Sequence, residues 1–199
     1  MAPRSREPSP VGVVPVVLLT DFGLTDPYVG VMKGVILGIN PAARLVDLTH
    51  AVPPQDLAVG ARLLAESYRY FPPEAIFVAV VDPGVGSARR GIALRTPHGR
   101  FVGPDNGLFG DVLADQGETL PPEGGRVSLR GGAVQAVVLE NSAYFLPRVS
   151  ATFHGRDVFA PVAAHLSLGV PLGALGPATE SLIVLPEAPV EIRPGEVRG

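Results

Sequence analysis

Apolar and polar positions alternate along the first half of the chain in blocks of two kinds. From Val13 to Thr20 the residues are continuously apolar and rich in β-branched types, the pattern of a strand covered on both faces, and the run stops at the polar turn Asp21-Phe22-Gly23. Pro27 then suits the first turn of a helix, Tyr28 to Ile39 places apolar residues at helical spacing, and Asn40-Pro41 ends it. The cycle repeats with a strand over Arg44 to Leu48, a helix over Asp56 to Phe71 and a third buried strand over Ala75 to Val81 that ends at Asp82. Strands alternating with helices of this length predict an α/β fold, a mostly parallel sheet with helices on both faces in a three-layer sandwich.

Beyond Asp82 the blocks shorten. Strands are expected over Gly91 to Arg95 and Arg100 to Gly103, a short helix over Asn106 to Asp115, and a surface loop over the Gly, Pro and Glu-rich stretch Gly117 to Gly125. Two further strands over Arg126 to Arg130 and Ala133 to Leu139 precede a last helix from about Arg156 to Leu168. Residues 1–12 mix Pro, Ser, Arg and Glu without period and read as a loose tail. The stretch from Gly169 is Pro-rich without helical spacing and resembles a linker; the domain is expected to occupy 13–185, with 186–199 leading out of it.

Composition narrows the partners. Sixteen Lys and Arg against nineteen Asp and Glu leave a net charge of −3, so no basic field exists to attract a phosphate backbone, and nucleic acid is not an expected partner. With no Cys there is neither a disulfide framework nor a thiolate ligand or nucleophile. No apolar run reaches the roughly 20 residues of a membrane span, and none follows the start in the manner of a signal peptide, so a cytoplasmic protein without membrane contact is expected.

In an open parallel sheet, ligands bind beyond the carboxyl ends of the strands, where loops and helix N-termini converge. Three polar clusters fall there: Asp21, the string Asp47-Leu48-Thr49-His50, and Asp82 in VVDPGVGSARR, where Gly84 to Gly86 lets the backbone approach a ligand and Arg89 and Arg90 supply positive charge. Neither GxxxxGK[ST] nor GxGxxG occurs, so a phosphate cradle is not indicated. A carboxylate at a strand end can accept both hydroxyls of a ribose diol, the role expected of Asp21, although an Asp in that place also suits a cap or turn. Asp47 and His50 read as loop stabilisers, His98 as turn surface, His165 as a helix residue, and Arg89 and Arg90 also fit solvated charges. His154 opens a helix, where the macrodipole keeps the ring neutral, the state a base requires.

Six strings in order, TDFG (20–23), MKG (32–34), DLTHAVPPQD (47–56), VDPGVGSARR (81–90), GPDNGL (103–108) and TFHGRDVFAPVAAHL (152–166), resemble the S-adenosyl-L-methionine (SAM) hydroxide adenosyltransferase family, relatives of the SAM-dependent fluorinase and chlorinase. The resemblance spans about residues 15 to 185. It implies a SAM hydrolase: attack of water at C5′ of the ribose, release of methionine, and adenosine as the second product, with SAM as substrate and no cofactor or metal. It also implies a homotrimer that binds SAM or adenosine between the α/β domain of one subunit and a small β-barrel C-terminal domain of the next. That barrel, with its DxFGN-type string, does not occur by Gly199. By the same resemblance Asp82, Arg89 and His154 handle the water, and Asp21, Gln55 and Asn106 bind substrate.

The fluorinase carries Tyr, Thr and Trp where this chain has Asp82, Val85 and Gln55. A carboxylate facing the nucleophile repels a halide and accepts a proton from water, so halogenation is not expected. Two other readings stand beside hydrolysis: a non-catalytic nucleoside-binding or assembly module, and a metal-dependent hydrolase using Asp21, Asp47, His50 and His154 as ligands.

Overall fold

A computed structural model describes residues 14–130, 132–187, 191–193 and 196–198. The expected tail at 1–12 lies outside them. The chain order is β1 (Pro15–Thr20), α1 (Tyr28–Ile39), β2 (Arg44–Thr49), α2 (Leu57–Tyr68), β3 (Ile76–Val80), β4 (Gly91–Thr96), β5 (Gly99–Pro104), α3 (Gly110–Asp115), β6 (Gly125–Ser128), β7 (Gln135–Val138), α4 (Ala160–Ser167) and β8 (Ser181–Val184). The main sheet runs β2-β1-β3-β5-β4-β7, with β2, β1, β3 and β5 parallel and β4 antiparallel to both neighbours. No helix among the described residues is long and apolar enough to cross a membrane.

The continuous apolar runs are explained by their two covered faces. Val16 and Leu18 of β1 and Ile76 and Val78 of β3 face α1 and α4, while Val17, Leu19, Phe77 and Ala79 face the side of α2 and α3. Burying each such side chain contributes roughly 1.5–3 kcal/mol. Asp56 caps α2 by accepting a hydrogen bond from Val59 N at 3.0 Å.

The strands after Asp82 form an antiparallel hairpin, because the two residues Pro97-His98 are too short a connection for a parallel crossover. Two expectations need correction. The third helix starts at Gly110, with residues from Asn106 forming the turn before it. The last helix begins with a π-turn over Gly155–Phe159 before α4. There Ala160 N–H bonds to Gly155 O, and Pro161, with no N–H to donate, leaves the Asp157 carbonyl to accept from Leu146 N at 2.9 Å.

The stretch after Gly169 is also more than a linker. β8 pairs antiparallel with β6 in a second small sheet, and Ile183 N donates to Asp105 Oδ1 at 2.8 Å. Within 186–199 two short strands, β9 (Glu191–Arg193) and β10 (Glu196–Arg198), pair antiparallel; residues 188–190, 194–195 and 199 lie outside the described structure.

Candidate functional site

The sheet changes direction at β1. The chain leaves β1 for β2 on one side, then crosses to β3 on the other, and α1 and α2 cover opposite faces. This is a topological switch point, and the carboxyl ends of β1 and β3 open into its crevice. Thr20 pairs with Val80, so Asp21 and Asp82 emerge from neighbouring strands almost in step.

At the β3 exit, the turn Pro83 to Ala88 folds Arg89 back onto Asp82. Arg89 Nε lies 3.0 Å from each carboxylate oxygen, and Nη2 forms a further short bond to Oδ2. Both side chains are largely shielded, at 10% and 6% exposure, so this is a partly buried bidentate ion pair. The same Arg89 Nη2 donates to His154 Nδ1 at 2.9 Å, and its guanidinium lies 5.2 Å from the centre of the Phe159 ring. Asp82, Arg89 and His154 are therefore brought together, with Arg89 in the middle.

Gly86 makes this meeting possible. Its φ of 77° is left-handed, and a Cβ there would run into the Ala151 carbonyl, so the 83–88 turn packs directly on the backbone before His154. Burial lowers the His154 pKa below its ordinary value, and the Arg89 charge lowers it further, against the Asp82 and Asp157 charges and a bond to the Ser150 backbone. The neutral ring is thus favoured, as expected, but through desolvation and the Arg89 charge rather than through the place at a helix start. Since a guanidinium can only donate, Nδ1 is the acceptor and the neutral ring carries its hydrogen on Nε2.

At the β1 exit, Gln55 N donates to Asp21 Oδ2 at 2.8 Å, and Gln55 holds φ 63°, a left-handed conformation in a non-glycine residue. Asp21 Oδ1 has no hydrogen-bond partner among the described residues. The turn is gripped from below: Gly23 N donates to His50 O at 2.8 Å, and Thr20 Oγ1 meets His50 Nδ1 at 2.9 Å. His50 Nε2 in turn bonds Asp47 Oδ1 at 2.9 Å, and Lys33 Nζ bonds Asp47 Oδ2 at 2.6 Å. Burial pushes the Asp47 carboxyl up, but the bonds from His50 and Lys33 outweigh it and leave the pKa below the usual range. His50 and Asp47 stabilise the turn, as their positions suggested.

Asn106 is turned inward. Its Nδ2 donates to Val81 O at 2.9 Å and its Oδ1 accepts from Leu108 N at 3.3 Å, so it braces the backbone just before Asp82. Nor do Asp21, Asp47, His50 and His154 converge as ligands: among the described residues no group of three or more His, Asp or Glu side chains has metal-binding geometry. His98 lies exposed in the β4–β5 turn, and His165 packs edge-on against Tyr144.

Two features escaped sequence reasoning. Asp157, wholly buried, accepts from Ser150 N at 2.8 Å, Ser150 Oγ at 2.7 Å and Arg156 Nε at 2.6 Å; the acid three residues after His154 in FHGRD was its only signal. Arg90, beside Arg89, pairs instead with the buried Asp105 at 2.5 Å, and only long-range packing reveals that split. A cavity of about 850 Å³ lies at the opposite end of the sheet, among Glu74, Arg95, Arg100, Gln135 and Leu166. Its most enclosed cation, Arg100, is engaged by the carbonyls of Leu166 and Glu74 at 3.0 and 2.8 Å, which makes it a cap on the end of α4.

Residues 16–176 match the SAM hydroxide adenosyltransferase N-terminal domain family. A curated relative, the (R)-S-adenosyl-L-methionine hydrolase of Salinispora arenicola, is 50% identical over 84% of this chain and 59% of its own length. A fluorinase from an Actinoplanes species is 26% identical over 82% of this chain and 57% of its own length. Among solved structures, an uncharacterized conserved protein from Thermotoga maritima superposes with a TM-score of 0.77 at 38% identity, covering 92% of this chain and 64% of that one. The chain thus spans about three fifths of the Salinispora hydrolase. This chain belongs to the SAM hydroxide adenosyltransferase family and matches that family's N-terminal domain.

Proposed function

We propose that this chain provides the water-activating half of a SAM hydrolase, which converts SAM and water into adenosine and L-methionine. The observation that carries the reading is the Arg89-bridged group of Asp82 and His154 at the β1/β3 switch point. The higher identity to the hydrolase than to the fluorinase supports water rather than a halide as nucleophile, as does the carboxylate of Asp82.

In this mechanism Asp21 Oδ1, which has no hydrogen-bond partner among the described residues, accepts from the ribose diol while Gln55 N holds the other oxygen. Water binds beside Asp82. His154 presents Nε2–H to the water oxygen, and Asp82 accepts the proton, because the His154 Nδ1 lone pair is committed to Arg89. Proton removal therefore falls to Asp82 rather than to the histidine. The oxygen forms a bond to C5′ as the C5′–S bond breaks, the sulfonium becomes a neutral thioether, and the proton passes from Asp82 to solvent. Alignment of water, C5′ and sulfur can supply ~7–11 kcal/mol in favourable intramolecular cases. Arg89 keeps the carboxylate in place and faces its charge, while Asn106 braces the strand end below it.

The same reading takes SAM as a small-molecule substrate with no cofactor, in a cytoplasmic homotrimer. Incubating the chain with SAM and following adenosine by chromatography, beside calorimetry with SAM and adenosine, tests it. Adenosine release that disappears in Asp82→Asn supports hydrolysis. Binding without turnover identifies a nucleoside-binding module instead.

A further inference from the structure

The segment carrying His154 has no regular secondary structure before the π-turn, so something must fix the ring against Arg89. Ser150 Oγ donates to Asp157 Oδ2 at 2.7 Å and accepts from Phe153 N at 3.1 Å, while Ser150 N also donates to Oδ2 at 2.8 Å. Asp157 N returns to Phe153 O at 3.1 Å, closing residues 150 to 157 into a knot around one carboxylate with no exposure to solvent. Arg156 binds the same carboxylate through Nε at 2.6 Å and Nη2 at 3.1 Å and lies over the Phe153 ring, its centre 5.1 Å away. Burial raises the Asp157 pKa, but the bonds from Arg156 and Ser150 outweigh it, so the group is a carboxylate.

We propose that Asp157 is a positioning residue that, through Ser150, holds the 150–154 turn so that His154 presents Nδ1 to Arg89 and Nε2–H to the crevice. The inference rests on His154 serving in the reaction proposed above, yet its direct consequence is a tautomer, which can be observed without turnover. A surface ion pair would leave the ring free to exchange tautomers; a knot around a fully buried acid fixes it. Ala151, the contact point for Gly86, lies inside the knot, so Asp157 also sets where the 83–88 turn docks.

The test uses nitrogen-15 histidine NMR on the whole chain, with the His154 signals assigned from His154→Gln. The native protein is expected to show a single Nε2–H tautomer for His154, and Asp157→Asn a mixture of both. Should Asp157→Asn fail to fold, Ser150→Ala is expected to mix the tautomers while Ser150→Thr, which keeps the hydroxyl, retains the native signals. Native signals in Asp157→Asn or, failing that, in Ser150→Ala overturn the proposal, as does a native ring that already mixes tautomers. In a parallel assay, Asp157→Asn is expected to lower kcat for adenosine release at least tenfold with KM for SAM within twofold. If the native chain releases no adenosine while the NMR outcome holds, the hydrolase reading fails and the positioning role stands.

Discussion

Arg89 and Arg90 are neighbours in sequence and opposites in use. Arg90 binds Asp105 through Nε at 2.9 Å, and its other nitrogens reach Thr179 Oγ1 and the Ser181 carbonyl, while Asp105 Oδ1 takes Ile183 N. Every partner of that pair is structural, and the result ties β8 to the end of β5. Arg89 also grips a shielded aspartate, but the Nη2 that bonds Asp82 donates as well to a histidine, His154. Two similar ion pairs thus differ in what completes them: backbone and strand in one, a neutral proton-bearing ring in the other. The completed pair serves architecture, and the open one leaves a ring N–H unspent, as the proposed reaction requires.

The largest effect is expected from the open pair. Asp82→Asn should reduce adenosine release by ~10²–10⁴-fold, the range for loss of a general base, with SAM binding retained by calorimetry. The closed pair should fail in stability. Asp105→Ala leaves Arg90 with its charge uncompensated and is expected to cost about 3–5 kcal/mol in urea unfolding. An Asp105→Ala protein as stable as the native would erase the contrast between the two arginines.

A smaller change probes what joins the halves of the open site. Gly86→Ala costs roughly 1–2 kcal/mol for a left-handed non-glycine residue and also runs into the Ala151 carbonyl, so activity should fall together with a loss of thermal stability beyond that backbone cost. The smallest effect is one of pH. The folded pKa of His154 lies below its unfolded value near 6.5, so the unfolded chain binds protons first as the solution is acidified. Stability from this group is therefore complete above about pH 6.5 and declines as pH falls toward the lowered folded value. His165, lowered by burial, acts in the same direction, and replacing both by Gln should flatten the stability slope below pH 6.5.

The core strands were legible because burial on both faces leaves an unbroken apolar run, as in Val16 to Leu19 and Ile76 to Val80. The place of Asp21 and Asp82 just beyond neighbouring strand ends was legible in the same way, because each apolar run stops at its acid. What resisted reading was pairing at a distance. Nothing local separates Arg89 from Arg90, and nothing in the Pro-rich stretch after Gly169 announces that Ile183 will donate to Asp105. Asn106 has the residue type of a ligand contact, yet a backbone carbonyl only strand packing brings near takes its amide. The π-turn was hidden because Pro161 suits the first turn of a helix, and its effect falls on residues before it.

Lys33 is the sole lysine of this chain, and it ends the relay that runs through Asp47 and His50 to Thr20. Amine chemistry can therefore reach one side chain only. Reductive methylation with a carbon-13 label would give a single side-chain probe there, distinct from the α-amine, anchored three side chains from the turn that bears Asp21, with no engineered cysteine required.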